Sequence, residues 1–413
     1  MANVSSSNGI EKYPKLRFPN YTEPYKLMEF SKYADVNPKC GKVPNSFYYI
    51  DLECVNAGEI KDLRIEMAET APSRAQRLLT LYDILFQTVR PYQKNNYHFK
   101  AENDLPTVAS TGYAVFRTEQ SSEYLYELIH TKRFLSNIMK RCTGTSFPAV
   151  SSSEIEDIAI WIPEFQEQKK IGDFLTLVDT KIAKQRMLIE HLKKYKRGVS
   201  KRFFDEIHKD QNCEAKQFSE VFELIQNNTF SRECLTDENT DVLNVHYGDI
   251  LVKYGSVLDP DIDTVPFIKS GTDLSKFSGS SYLQDGDVIF ADTAEDYTVG
   301  KMCEIINVSN RKILSGLHTM PFRPTITFAP MYLGYYLNSA AFRTQILPMI
   351  QGAKVSSISK SEMKKTIIHI PSIERQTEIV SILNALDKRI KRTELILAEL
   401  KEMKKGLLQN LFI

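Results

Sequence analysis

The sequence predicts an α+β fold in which two tandem mixed α/β domains are each followed by a long helix, and the two helices pair as an antiparallel coiled coil. Three observations lead to this prediction. First, the stretch from Pro163 to Phe204 recurs without a gap from Pro371 to Phe412. Second, both copies carry apolar residues in a sustained heptad. Third, the same order of strand-like and helix-like segments precedes each copy, which indicates an internal duplication with pseudo-twofold symmetry.

The duplication divides the chain into five segments. Residues 1–20 form a polar N-terminal arm, residues 21–163 the first mixed domain, and residues 164–207 the first long helix. Residues 208–371 form the second mixed domain, and residues 372–413 the second long helix. If the two ends of the second domain lie close together, the second helix starts where the first one stops, and the helices run antiparallel.

The first mixed domain alternates short strands with a helix. Helical periodicity covers residues 121–142, and Gly144 follows it. Ser151 and Glu154 fit a capping box that opens a short helical turn. Aromatic and β-branched residues predict strands over 47–55, 83–89, 108–117 and 158–163.

The second mixed domain repeats this order. Ser359 and Glu362 repeat the capping box at the same offset. The loops differ from those of the first domain in length and charge, which is how one scaffold recognises two different targets. The corresponding segments are 241–250, 287–293, 313–323 and 331–350.

Each copy of the repeat predicts a helix of about 40 residues, roughly 60 Å long. An ordinary amphipathic helix on a globular core is the alternative, but helices much longer than ~25 residues are uncommon inside compact domains. Polar residues recur at fixed positions of the apolar seam, which is typical of a coiled coil with built-in register. These polar positions are Gln185, Lys196, Thr393 and Lys404. The apolar seam residues expected to pair are Ile171, Leu175, Val178, Ile182, Ile189, Leu192, Ile379, Leu383, Leu386, Ile390, Leu397 and Leu400.

An antiparallel pair also needs counter-charges for its polar seam positions. When two copies of the first helix are paired in this way, Lys196 lies toward the start of the opposite helix. Glu167 and Asp173 stand there and could offset its charge.

Composition and motifs exclude several classes of protein. The chain has 413 residues and a formal net charge of +1, which argues against loose, charge-driven binding of nucleic acid. Its cysteines form no CxxC pair and its histidines no HxxxH, so we expect no metal site. It has no Gly-x-x-x-x-Gly-Lys-Ser/Thr loop, no Asn-Pro-Pro-aromatic motif and no Ser/His/Asp arrangement, so we expect no catalytic residue. Without a signal peptide or an apolar run of ~20 residues, we expect a cytoplasmic protein with no membrane partner.

The repeat carries a paired signature. Pro-x-x-x-x-Gln-x-x-Ile-x-x-x-Leu-x-x-x-Asp-x-x-Ile begins at Pro163 and again at Pro371. A Leu-Lys-x-x-Lys-x-Gly segment follows each copy, and a Gly-x-x-x-x-x-x-Ser-x-Ser-Glu segment precedes each. With these motifs the chain resembles, over nearly its whole length, the specificity subunit of a type I restriction-modification enzyme. One departure is Arg375 before Gln376, where that family often has Glu-Gln; we expect little consequence.

The resemblance implies a function. In that family each domain is a target-recognition domain that reads one half of a split site in double-stranded DNA, and the helices set the unread spacer. The helices also dock modification (methyltransferase) subunits, two of them, and the complete complex contains restriction (translocase/nuclease) subunits. Methylation and cleavage belong to those partners, so S-adenosylmethionine, ATP and Mg are expected on them, and no cofactor or catalytic activity on this chain. The alternative from another class is a coiled-coil interaction scaffold without sequence-specific DNA recognition.

Candidate DNA contacts lie in polar loops that follow predicted strands. Gln and Asn can bond adenine in bidentate fashion, and Arg and Lys can bond guanine or phosphate. The corresponding loop of the second domain is acidic, and its carboxylates can accept a bond from cytosine N4 or merely order the loop. For the first domain, the structural alternative is a loop whose Arg and Tyr pack on the domain and whose Lys is solvated. The candidates are Gln87, Arg90, Tyr92, Lys94, Asn95, Ser110, Thr111 and Tyr113 in the first domain, and Asp292, Thr293, Glu295, Tyr297, Lys301, His318 and Lys354 in the second.

Overall fold

The computed structural model describes residues 2–3, 13–296, 298–352 and 355–413. Tyr297, Lys354 and half of the N-terminal arm lie outside the described residues. Contacts divide the chain into two compact units, of which the first comprises Met1–Met187 and Leu395–Ile413 and the second Leu188–Glu394. Each unit therefore holds one mixed domain and a part of each long helix, whereas the boundaries drawn from the sequence set the helices apart.

The first unit contains two four-stranded sheets. The antiparallel sheet has the order Tyr97–His98, Ile84–Gln87, Tyr113–Arg117, Asp35–Val36. The other sheet has the order Arg64–Met67, Ser46–Ile50, Thr107–Ser110, Ala75–Leu78, and its central pair is parallel. The strand predicted over 108–117 is interrupted at Thr111 and Gly112, because the chain leaves one sheet there and enters the other.

The helix predicted over 121–142 is broken into Ser122–Leu128 and Lys132–Arg141. Thr131 causes the break, since its side chain accepts a hydrogen bond from Phe134 N and caps the second helix. The capping box of Ser151 and Glu154 is confirmed and opens the helix Ser152–Glu156. The remaining strands of this unit are Ala2–Asn3, Leu16–Arg17, Lys26–Glu29, Val55–Asn56, Glu59–Ile60 and Ala159–Ile162.

The second unit shares the centre of this topology and differs from the first at the edges of both sheets. A five-stranded sheet has the order Phe222–Leu224, Thr319–Pro324, Val288–Ala291, Met302–Ile305, Val257–Leu258. A four-stranded sheet has the order Leu235–Thr236, Phe267–Ile268, Val242–Val245, Lys312–Ser315, and its last two strands are parallel. As in the first unit, the chain passes from the parallel pair directly into the other sheet, so the two units share one fold. The remaining strands are Glu214–Gln217, Thr293–Ala294, Ser356–Ser357 and Ile367–Ile370.

Short helices of the second unit depart from the prediction in three places. The strand predicted over 241–250 ends at Val245, because the His246 side chain accepts a bond from Gly248 N and starts a helix. Ser339 divides the helix predicted over 331–350 by capping Phe342 N. Ser359 caps its helix, but Glu362 pairs with Lys365 instead of completing a second capping box. The short helices are Phe218–Val221, Tyr247–Val252, Tyr332–Leu337, Ala340–Ile346 and Lys360–Met363.

The two long helices, Phe165–Lys209 and Ile373–Leu411, begin with the same local contact. Gln168 Nε2 donates to the Pro163 carbonyl at 2.9 Å, and Gln376 Nε2 donates to the Pro371 carbonyl at 2.9 Å. Each glutamine also ties its helix to its own mixed domain, because Gln168 Oε1 accepts from the Tyr33 hydroxyl and Gln376 Oε1 from Ala329 N. The paired Pro and Gln of the signature therefore fix the helix starts.

Most of the apolar seam residues are buried in their units. The first residues of each seam are enclosed in the core of a mixed domain, where Leu175 and Leu383 are both 0% exposed. Val178, Ile182 and Leu400 form a separate cluster between helix segments of the first unit. Leu386 and Leu397 are only partly buried. Buried seam residues are Ile171, Leu175, Val178, Ile182, Ile189, Leu192, Ile379, Leu383, Ile390 and Leu400.

The duplicated lysines of the seam meet duplicated aspartates. Lys404 Nζ lies 2.6 Å from Asp179 Oδ2 in the first unit, and Lys196 Nζ lies 2.6 Å from Asp387 Oδ1 in the second. In the full-length chain Lys196 therefore pairs with Asp387, and the expectation for two paired copies of the first helix stays a prediction.

Glu167 is instead buried against the N-terminal segment. Arg17 donates two hydrogen bonds to its carboxylate, at 2.8 and 2.7 Å, and the two side chains are 4% and 1% exposed. Arg375 occupies the matching position of the second copy and pairs with Glu206 at 3.0 Å. The departure at Arg375 therefore changes the ion pair at the helix start, from a buried pair of Glu167 with Arg17 to a partly exposed pair of Arg375 with Glu206.

No helix in the described part of the chain is both long enough and apolar enough for a bilayer crossing.

Candidate nucleic-acid interface

The loop after strand Ile84–Gln87 is held in a strained backbone conformation. A 3₁₀ turn, Pro91–Gln93, lies between Arg90 and Lys94, which have φ angles of 55° and 56°. Left-handed residues other than glycine cost of order 1–3 kcal/mol and persist where the surroundings fix them, often at binding sites. Tyr92 is at the centre of the turn, between the two left-handed residues, and is 50% exposed.

Gln87 supplies the bonds that fix this loop. Its Nε2 donates to the Val89 carbonyl and to Gln93 Oε1, each at 2.8 Å, and its Oε1 accepts from Asn95 N at 3.2 Å. The side chain is 2% exposed. A direct base contact, which the sequence predicted for Gln87, is inconsistent with this burial; Gln87 orders the loop instead.

The other predicted side chains of this loop are accessible to different degrees. The Arg90 guanidinium lies 4.3 Å from the centre of the Phe147 ring, so it packs on the domain through a cation–π contact. Lys94 and Asn95 are partly exposed. Lys94 Nζ approaches the His130 carbonyl at 3.5 Å, and Asn95 Oδ1 accepts from Ala57 N at 3.4 Å. Their contacts are long, and both side chains face the cleft described below.

The loop between strands Thr107–Ser110 and Tyr113–Arg117 has fewer accessible side chains than the sequence predicted. Ser110 is buried, and its hydroxyl accepts from Gly112 N at 3.2 Å. Tyr113 is 1% exposed, and its hydroxyl donates to the Asp51 carbonyl. DNA contacts by these two side chains are inconsistent with their burial, because both hold the point where the chain changes sheets. Thr111 is partly exposed.

The equivalent loop of the second unit is organised by Asp292. The Thr293 hydroxyl donates to Asp292 Oδ1 at 2.8 Å, and His318 Nδ1 lies 3.5 Å from the same oxygen. His318 has a φ of 55° and is 47% exposed, and its ring meets Tyr247 edge to face at 5.3 Å. This arrangement presents an imidazole and an aromatic ring beside each other. Tyr247 was not among the residues predicted from the sequence.

The remaining acids and the lysine of this loop have different environments. Asp296 accepts from Thr298 N at 2.8 Å, which orders the loop, while Glu295 is exposed. Lys301 Nζ donates to the Leu251 carbonyl at 2.9 Å, and burial lowers the pKa of its ammonium. The Lys301 ammonium therefore bonds within its own domain, whereas the exposed Glu295 carboxylate is accessible to a ligand.

A cleft of about 790 Å3 in the first unit, called here the basic cleft, lies between the loop after strand Ile84–Gln87 and the long helices. That loop is called the recognition loop of the first unit. Lys94 and Asn95 line one side, and Arg186, Lys401 and Lys405 line it from the helices. Seven Lys or Arg side chains line this cleft against three carboxylates, although the chain as a whole has a net charge of +1. From the sequence we expected the helices to set the spacer and dock partner subunits, and these helix cations were not among the predicted DNA contacts. A comparison of charges between the two copies could have found them.

A buried acidic group lies at the wall of the basic cleft. Glu127 is 1% exposed, and Lys404 Nζ lies 3.0 Å from its Oε2 and 2.6 Å from Asp179 Oδ2. Burial raises the pKa of Glu127, and the ammonium of Lys404 opposes this rise. The matching residue of the second unit is Tyr335, whose hydroxyl donates to Asp387 at 2.9 Å. The two units therefore hold their helix segments by related contacts with different charges.

Comparison with known proteins gives a family and two similar folds. The family model described as the type I restriction modification DNA specificity domain matches residues 82–194 and 211–402. The chain is 26% identical over 168 residues to the type I restriction enzyme HindI specificity subunit of Haemophilus influenzae. That match covers 38% of this chain and 36% of the relative, so the chain spans about a third of the length of that curated protein.

Two solved structures have a similar fold. One is the type I restriction-modification system S subunit from M. genitalium, with a TM-score of 0.58, 14% identity, and coverage of 97% of this chain and 99% of that one. The other comes from a study of complex assembly and conformational transition of the type I R-M system. It has a TM-score of 0.57, 19% identity, and coverage of 95% and 99%. At these identities the likeness concerns the fold.

Proposed function

This chain belongs to the type I restriction modification DNA specificity family, and we propose that it is the subunit that selects the DNA sequence for a type I restriction-modification complex. Each mixed domain is a target-recognition domain that reads one half of a bipartite site in double-stranded DNA. One observation carries this proposal: both units combine a largely antiparallel sheet with a second sheet whose parallel pair leads into it, but they carry different recognition loops. Tyr92 and the partly exposed Lys94 lie on the first, and His318, Asp292 and Glu295 on the second.

We assign direct contacts only to side chains that can reach DNA. In the first domain these are Arg90, Tyr92, Lys94, Asn95 and Thr111. In the second they are Asp292, Thr293, Glu295 and His318, while Tyr297 and Lys354, outside the described residues, stay predictions from the sequence. Because Arg and Lys reach phosphates as easily as bases, we expect Asn95 and the acidic residues to contribute more to base choice than Lys94 does.

The two long helices pair as an antiparallel coiled coil and set the length of the spacer between the half-sites. Support comes from the ion pairs of Lys404 with Asp179 and of Lys196 with Asp387. In the second unit Lys193 also pairs with Glu394, so between its two pairs the residue number rises along one helix as it falls along the other, as an antiparallel pairing requires. The cluster of Val178, Ile182 and Leu400 agrees with a heptad seam.

The chemistry belongs to partners in the proposed complex. Two modification subunits dock on the paired helices and hold S-adenosylmethionine, and restriction subunits use ATP and Mg. This chain supplies recognition and no catalytic group, and it acts in the cytoplasm, where the DNA is. The solved chain from work on the assembled type I system supports this arrangement through its fold.

Methylation mapping tests the proposal. DNA from cells that carry the gene together with its modification subunit should show one bipartite methylated motif, and this motif should disappear when the gene is deleted. The purified chain alone should transfer no methyl group. An unchanged methylome after deletion would contradict the proposal.

Variants can assign the half-sites in the same assay. Tyr92→Ala should relax only the half-site read by the first domain, and Glu295→Gln only the other half-site. Lys140→Ala is a matched control, because Lys140 is exposed, lies in the first unit and does not line the basic cleft. If Tyr92→Ala altered the half-site assigned to the second domain, the division of labour would be wrong.

A further inference from the structure

The two units differ in charge at one matched position of the long helices. In the second unit Lys193 Nζ lies 2.8 Å from Glu394 Oε1. A shift of 208 residues places Lys401 on Lys193 and Arg186 on Glu394. The first unit therefore has two cations where the second has an ion pair, and both of them line the basic cleft.

The protein neutralises only part of the charge in this cleft. Arg186 reaches Glu59 at 3.5 Å, in a pair whose side chains are 41% and 66% exposed and which is therefore weak. Burial and the charge of Lys132 lower the pKa of the Lys94 ammonium, so these two cations repel each other. No ion-pair partner lies within reach of Lys94, Lys132 or Lys401 among the described residues. Like charges held together in this way favour a polyanion from outside the chain.

The cations of the cleft come from three separate elements. These are the recognition loop around Lys94, the helix segment around Arg186, and the helix segment around Lys401. Lys94 and Asn95, which we assign to DNA contact, lie in the same cleft. The side chains assigned to DNA contact and the helix cations therefore line one and the same cleft.

We propose that the basic cleft binds the sugar–phosphate backbone beside the first half-site, with Arg186 and Lys401 on the helices as phosphate contacts in addition to Lys94. This inference rests on the proposed function and extends it, since it makes the helices of the first unit a DNA-binding surface as well as a spacer. The second unit has no such contact, because Glu394 neutralises Lys193 and would repel phosphate. The helices therefore contact the DNA backbone in the first unit and not in the second, although the two units arise from a duplication.

Arg186→Glu is the decisive substitution, because the second unit shows that the helices tolerate it. It recreates in the first unit the Lys–Glu pair of Lys193 and Glu394, so the fold should be kept. The control Lys140→Glu makes the same change of charge on the first unit outside the cleft. A third variant, Lys401→Ala, removes one cation without adding an acid.

The measurement is DNA affinity as a function of salt, made on the complex of full-length chain and modification subunits with DNA that contains its own site. Each phosphate contact contributes about 0.9 to the slope of log affinity against log salt, or roughly a threefold loss between 50 and 200 mM salt. Lys401→Ala should lower the slope by about 0.9. Arg186→Glu should lower it by at least as much, because the new glutamate also pairs with Lys401 and removes the phosphate contact of that lysine. Lys140→Glu should leave the slope unchanged, and the methylated motif should stay the same in all three variants, because backbone contacts carry no sequence information.

Other outcomes would overturn the inference in distinguishable ways. Wild-type slopes for both Arg186→Glu and Lys401→Ala would exclude phosphate contacts in the cleft. If these variants lost the modification subunit while the slope stayed the same, the cleft would bind an acidic protein surface and not DNA. Equal binding of wild-type complex to its own site and to scrambled DNA would instead refute the proposed function itself.

Discussion

Lys404→Met tests how the long helices are held in the first unit. Lys404 is the only cation within 4 Å of both Asp179 and Glu127 among the described residues. Methionine keeps most of the aliphatic stem and removes the charge. The matched substitution in the second unit is Lys196→Met, because Lys196 makes the equivalent contact with Asp387.

The two substitutions should differ in cost because their acids differ in burial. The Glu127 side chain is 2% exposed, so its carboxylate cannot be solvated once Lys404 is gone. Breaking a buried ion pair costs ~3–5 kcal/mol, but Glu127 can take up a proton, and we expect a loss of ~1–3 kcal/mol near neutral pH. Asp387 is 38% exposed and can be solvated, so Lys196→Met should cost at most about 1 kcal/mol.

The pH dependence gives the sharper test. Burial raises the pKa of Glu127 above its ordinary value of 4.5, and Lys404 opposes the rise. Where the pKa of an acid is raised on folding, the unfolded chain releases the proton first, and stability falls as pH rises above the unfolded value. Without Lys404 the pKa of Glu127 rises further above about 8, so the stability loss of Lys404→Met should grow between pH 7.5 and pH 9.5. The loss of Lys196→Met should not change over that interval.

Urea unfolding at several pH values measures both effects, and amide hydrogen exchange assigns them to a unit. Adding Glu127→Gln to Lys404→Met removes the buried acid and should abolish the growth of the loss with pH. Equal, pH-independent losses for Lys404→Met and Lys196→Met would refute the reasoning, because they would mean that Glu127 is solvated or already satisfied.

Three further predictions concern the spacer, the duplication and the response to acid. One heptad inserted into both long helices lengthens each by ~10 Å, which is about three base pairs of DNA. The half-sites should be kept and the preferred spacer should change, unless the added twist of the DNA abolishes binding. An active variant that keeps the original spacer would contradict the spacer role. A chain truncated near residue 208 should form a homodimer, in which Lys196 pairs with Asp179 as it pairs with Asp387 in the full chain. Together with the modification subunit, this homodimer should read a symmetric site. Light scattering that shows a monomer at micromolar concentration would contradict the dimer, and methylation of an asymmetric site would contradict the predicted specificity. Burial, together with the charge of Lys100, lowers the pKa of His98 from 6.5 to about 3. Below pH 6.5 the unfolded chain therefore binds a proton that the folded chain does not, so the contribution of neutral His98 to stability is complete only above pH 6.5. That stability should be lost as pH falls, by up to about 1.4 kcal/mol per pH unit, and His98→Gln should show a smaller loss between pH 6.5 and 4.5 in unfolding measurements; an unchanged loss would mean that His98 is solvated.

Prediction of the recognition loops from sequence failed at particular residues, and the reason is physical. Gln87, Ser110 and Tyr113 have the composition of DNA contacts, yet they are buried. Polar side chains beside a strand end can face either solvent or the loop's own backbone. The choice depends on hydrogen bonds to residues that the sequence does not reveal as neighbours, such as the bond from Tyr113 to the Asp51 carbonyl.

The sequence by itself determined the duplication, the two long helices and the family resemblance, because each of these repeats within the chain. Periodicity placed Leu175 and Leu383 at equivalent, fully buried positions, and the spacing of Pro163 and Gln168 marked a helix start. Only the tertiary structure decided which charges meet. It paired Lys404 with Asp179 and Glu127, gave Glu167 to Arg17, and gathered Lys94, Arg186 and Lys401 around one cleft. These contacts join residues far apart in the chain, and an electrostatic interaction depends on distance in space and on burial, neither of which sequence spacing records.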